Sequence, residues 1–165
     1  MKQFKKSLLI AAMLATPLAT NAIELTDTDT ATFEISGTIE KMCKVSTYAG
    51  EPARAVDLSP GAAASTTSSV STWCNTGQST VATTFSSANS GKMKNEAGDE
   101  IGYTASLSGT GSAFDLTSDV TLAKVTSGNL DGSHVSRSFK VQPDVNGFER
   151  AGVYTDTITV QVAPN

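Results

Sequence analysis

The chain of 165 residues holds one histidine, His134, and two cysteines, Cys43 and Cys74. A zinc site therefore lacks ligands. A serine hydrolase would need that single histidine beside a nucleophile, yet no Gly-x-Ser-x-Gly elbow occurs anywhere. His134 reads as a surface or structural residue of a strand-and-turn region. Asp27 with Asp29, and Asp99 with Glu100, lie outside any calcium-loop pattern of central glycine and distal glutamate, so they read as solvated surface acids. Gly109-Thr110-Gly111 is followed by no helix start with Lys-Ser or Lys-Thr, and reads as a turn between strands. Aromatics make up only 6% of the chain, too few for an exposed sugar-stacking platform. Trp73, next to Cys74, reads as a core aromatic packed on a disulfide. Neither catalysis nor a cofactor is expected.

Long hydrophobic runs are also scarce. The longest, Leu8 to Leu18, is shorter than the roughly 20 residues of a membrane span. It follows Lys2, Lys5 and Lys6 and precedes Thr20-Asn21-Ala22, which fits a secretory signal over residues 1–22. No cysteine follows the run to carry a lipid anchor, so export without membrane insertion is the expectation. The signal takes three of the twelve basic residues and none of the sixteen acidic ones. Nine bases against sixteen acids leave the mature chain at −7. Nucleic acid is therefore not an expected partner.

What remains after the signal is 143 residues, a normal size for one domain with a single core. They are rich in Thr, Ser, Gly and Val and poor in the residues that fill helix surfaces, so an all-β domain is expected. In an oxidising compartment the one cysteine pair, Cys43 with Cys74, reads as a disulfide. Closing that 31-residue loop stabilises by roughly 3 to 4 kcal/mol in the chain-entropy view.

Residues 30–40 alternate strictly. Ala31, Phe33, Ile35, Gly37 and Ile39 fall on one side, and Thr30, Thr32, Glu34, Ser36, Thr38 and Glu40 on the other, the pattern of a half-buried strand. Cys43 and Val45 resume the apolar phase after Lys41, so residues 31–45 read as nearly continuous extended chain. Fifteen such residues reach about 50 Å, whereas a compact domain of this size is about 37 Å across. Either the chain bends near Gly37 or its first half leaves the domain. Further strands are expected near 54–58, 68–75, 79–86, 100–107, 113–125, 134–141 and 153–162, with loops over Pro60–Thr67 and Asn89–Asp99. The last strand is the clearest, because Ile158, Val160 and Val162 alternate with Thr157, Thr159 and Gln161 after an Asn146-Gly147 turn. No internal repeat is present.

Several phrases then resemble chaperone–usher pilins and the related spore-coat-U-like secreted domains. Phe33-x-Ile35-x-Gly37-x-Ile39 with Cys43-x-Val45 is similar to the pilin N-terminal extension and first strand. Val56-Asp57-Leu58-Ser59-Pro60-Gly61 and Val70-Ser71-Thr72-Trp73-Cys74-Asn75-Thr76-Gly77 resemble the cystine region, and Ile101-Gly102-Tyr103 the strand after it. The run from Ala151 through Tyr154, Ile158 and Val160 to Val162 looks like the C-terminal strand. The ending Ala163-Pro164-Asn165 departs from the aromatic-containing strand on which many type 1-like pilins stop.

This resemblance implies an immunoglobulin-like β-sandwich lacking one strand, over residues 37–165, with a donor-strand extension over 23–36. Ala31, Phe33 and Ile35 would be the inserting face, with Gly37 where extension meets domain. Tyr154, Ile158, Val160 and Val162 would form the C-terminal core strand. The implied partners are neighbouring subunits, a periplasmic chaperone and an outer-membrane usher, and the implied location is a surface fimbrium serving adhesion or biofilm formation. The alternative is a monomeric secreted β-sandwich binding module of lectin-like type; a small secreted enzyme ranks last.

Overall fold

The computed structural model describes residues 30–47, 54–77 and 80–165. The expected signal, and Asp27 and Asp29, lie outside them. The chain divides into two units, Met1–Gly37 and Thr38–Asn165. In the first, residues 30–37 are exposed and belong to no strand.

Among the described residues the second unit has nine strands: β1 Cys43–Thr47, β2 Ser65–Cys74, β3 Thr80–Ser87, β4 Lys92–Lys94, β5 Glu100–Leu107, β6 Ala113–Phe114, β7 Val120–Thr126, β8 Val135–Pro143 and β9 Ile158–Pro164. No described residue is helical. The strands form two antiparallel sheets. One runs β1-β2-β8-β5-β4 with β6 added beside β5, and the other runs β7-β3-β9. The all-β expectation thus holds, in the two-sheet arrangement of a β-sandwich.

Period-two patterning explains which side chains meet between the sheets. Val81, Thr83 and Phe85 of β3 point inward, as do Ile101, Tyr103, Ala105 and Leu107 of β5 and Phe139 and Val141 of β8, and all are buried. Phe85 stacks on Phe139 with ring centroids 5.3 Å apart and tilts against Phe114 at 5.5 Å, which joins the two sheets at their centre. The expected disulfide is formed: Cys43 and Cys74 sit directly opposite one another on β1 and β2 and are bonded.

Several expectations need correction. Residues 31–42 form no strand, because among the described residues no partner strand offers them a ladder; strand β1 starts at Cys43. No turn or bend falls between residues 30 and 42, and a Cβ at Gly37 would meet nothing within 4 Å, so neither bending nor a close backbone neighbour marks that glycine here. Residues 54–58 alternate yet pair with nothing; the Asp57 carboxylate instead accepts from the Ser59 amide and hydroxyl and turns the chain. Within the expected loop 60–67, Ser65–Thr67 belong to β2, where Ser65 and Thr66 face Val141 and Lys140 of β8 across a bulge. The expected loop 89–99 contains β4, held against β5 by Lys92 and Lys94 flanking Glu100. The strand expected over 113–125 splits into β6 and β7, which join different sheets. The last strand starts at Ile158 rather than 153, after an isolated bridge between Thr155 and Lys94. Trp73 is not packed beside the buried Cys74: strand neighbours face opposite sides, and its indole N–H donates to the Asn129 carbonyl at 2.6 Å.

Candidate functional site

β9 begins the site. It pairs with β3 along its whole length, and its other edge pairs with no strand among the described residues. Ile158, Val160 and Val162 point toward the core, in register with Ser87, Phe85 and Thr83 of β3, but they stay only half-buried. Strand β3 has a ladder on both edges, and among the described residues β9 has one on a single edge.

Along that open edge runs an apolar groove of about 870 Å³. Ile158 and Val160 of β9 line it, together with Val56 and Leu58 and with Val70, Phe139 and Val141. Thr66, Thr67, Ser68 and Ser69 of β2 also line it, and among the described residues Arg54 is its one lining cation. The segment 54–58 thus lines the groove without being a strand.

One end of the groove is polar and closed by hydrogen bonds. The Tyr103 hydroxyl and the Ser87 hydroxyl both donate to the same Asp156 carboxylate oxygen at 2.6 Å. The other oxygen accepts from the amides of Asn89 at 3.1 Å and Thr157 at 2.7 Å. Burial, and next the Asp156 carboxylate, push the Tyr103 phenol well above its ordinary value, so it stays a donor. With four donors on one carboxylate, this network fixes the entry to β9. The Tyr154 hydroxyl donates to the Arg150 carbonyl at 2.7 Å and likewise serves the loop.

The residues expected to matter therefore fall into two sets. Ile158, Val160 and Tyr154 line the groove, and Val162 continues the same face of β9, although Tyr154 precedes the strand rather than belonging to it. Ala31, Phe33, Ile35 and Gly37 lie on an arm, where Phe33 is 83% and Ile35 84% exposed. Cys43 and Cys74 staple β1 to β2. His134 is exposed. Sequence reasoning missed Val56, Leu58, Phe139 and Val141 as groove residues. They fell within the strands expected near 54–58 and 134–141, but nothing local told that the four share one uncovered face.

The arrangement defines a class: a disulfide-stapled, two-sheet β domain with an open strand edge above an apolar groove. Compared with models of known protein families and with curated proteins, the chain matches none.

Proposed function

We propose that this chain is a structural subunit of a bacterial surface fibre, an immunoglobulin-like domain lacking one strand whose groove receives the N-terminal arm of a neighbouring subunit. The observation that supports this reading most is the pairing of opposites in one chain: an apolar groove beside the unpaired edge of β9, and an exposed arm with Ala31, Phe33 and Ile35 on one face. An unpaired edge over open apolar surface invites strand addition, in which main-chain hydrogen bonds give affinity and alternate side chains fill the groove. Burying Phe33 and Ile35 contributes about 1.5 to 3 kcal/mol each. Each subunit gives an arm to one neighbour and takes an arm from another, so the contact does not close on itself and a filament grows. Before that, a periplasmic chaperone holds the groove and an outer-membrane usher releases the subunit to the surface.

The test removes residues 23–36 and adds a peptide spanning Thr26 to Gly37. Peptide should raise the melting temperature of the truncated domain in a concentration-dependent way, and the same peptide with Phe33→Asp should not. The full oxidised chain should run as a ladder on an unboiled gel and collapse to monomer on boiling. A melting temperature indifferent to the peptide, with no ladder, overturns the proposal in favour of a monomeric binding module.

A further inference from the structure

We infer that Asn75 is a positioning residue that mounts the arm on its domain, so that the hinge between successive subunits begins at Ile39 rather than at Cys43. The inference rests on the fibre reading above and deepens it. β1 and β2 are in register from Cys43 opposite Cys74 onward, and the chain after Cys74 turns away at Asn75 and Thr76. One further rung forms, from the Asn75 amide to the Met42 carbonyl at 3.1 Å. At the residues next to that rung it is the Asn75 side chain that bonds the opposite backbone. Its Nδ2 donates to the Glu40 carbonyl at 2.8 Å, and its Oδ1 accepts from the Met42 amide at 2.9 Å.

In an extended chain the carbonyl of residue 40 and the N–H of residue 42 point the same way, on either side of residue 41. A primary amide carries a donor and an acceptor on one planar group and matches both. Lys41, between them, donates from Nζ to the backbone oxygen of Asn165 at 3.1 Å, and the Asn165 side chain donates to the Thr80 and Ala123 carbonyls. Residues 40–43 are thus tied by a side-chain amide, a lysine and a disulfide, whereas residues 30–39 have no hydrogen bond among the described residues. With a plug ending at Gly37, only Thr38 and Ile39 remain as hinge. Releasing 40–42 adds three residues, or about 10 Å of reach.

The full chain with Asn75→Ala and Asn75→Asp is compared with the wild type. In the monomer, backbone NMR order parameters at residues 40–42 should fall from about 0.85 to below about 0.6 in Asn75→Ala, and Met42 amide exchange should quicken about two- to tenfold. Asn75→Asp keeps the acceptor and loses the donor, so Met42 should stay protected while Glu40 loosens. Amides of Val45 and Thr47 should be unchanged in both, which separates positioning from general loss of β1. In fibres, micrographs should show a broader distribution of bend angles between subunits for Asn75→Ala. Residues 40–42 as ordered in Asn75→Ala as in the wild type, or fibres bending alike, overturn the inference. Absence of any fibre from the wild type overturns the donor-strand reading instead, and the monomer measurements still decide the role of Asn75.

Discussion

Strands β3 and β9 lie side by side and carry the same alternating pattern, yet one is sealed and the other is not. Val81, Thr83 and Phe85 of β3 are fully buried, while Ile158, Val160 and Val162 on the same face of β9 remain half-open. Pattern is equal; cover differs. β3 is hydrogen-bonded to β7 on one side and β9 on the other, and among the described residues β9 is hydrogen-bonded to a strand on one side only. Binary patterning states which face a strand expects to bury, and the sheet order decides whether that face meets anything.

Breaking this comparison at its strongest point means truncating both strands. Phe85→Ala should cost about 3 to 5 kcal/mol in denaturant unfolding, because it empties the centre of the aromatic cluster. Ile158→Ala should cost less than about 2 kcal/mol in the open domain and rise toward about 2 to 5 kcal/mol once arm peptide saturates the groove. Equal costs with and without peptide would mean that β9 is already covered.

A smaller effect sharpens the sealed side. The Thr83 hydroxyl is buried and has no hydrogen-bond partner. Thr83→Val should therefore stabilise the domain by about 1 to 3 kcal/mol, read from the denaturation midpoint at constant slope. Destabilisation would show that the hydroxyl is satisfied by something else, such as water.

The smallest effect lies far from either face. The Lys92 ammonium, and after it Lys94, hold the exposed Glu100 carboxyl down to about 2. A carboxylate whose folded value lies below its unfolded one favours folding above the ordinary glutamate range and loses that contribution as pH falls through about 2. Glu100→Gln should lower the melting temperature slightly at pH 7, less so in high salt, and not at all near pH 2. A difference that persists unchanged to pH 2 would rule out the charge as its cause.

Much of this architecture was legible because inward residues alternate without interruption in β3, β5 and β9. The first half of β2 was not. Ser65, Thr66, Thr67, Ser68 and Ser69 show no apolar period, and they form a strand because β8 offers them a ladder. The opposite failure occurred at Val56 and Leu58, whose alternation is clear but which found no ladder and line the groove. Pairing is a property of partners distant in sequence, and neither segment carries its partner's position. The arm was readable as amphipathic, and its strand-like period could not say that no strand among the described residues pairs with it. The Asn75 contact was illegible for another reason: an asparagine after a cysteine looks like any turn residue until the strand opposite is in place.

The register of β3 with β9 also sets a clock. Ser87 faces Ile158 and Val81 faces Pro164, so this ladder joins residues about 70 to 80 positions apart. Loops of that length close late, and folds dominated by such pairings form slowly. Until Ile158–Pro164 has docked, β3 waits with one side unpaired and Phe85 uncapped. The exposure of the β3 edge is therefore written into the topology, and it ends when β9 docks.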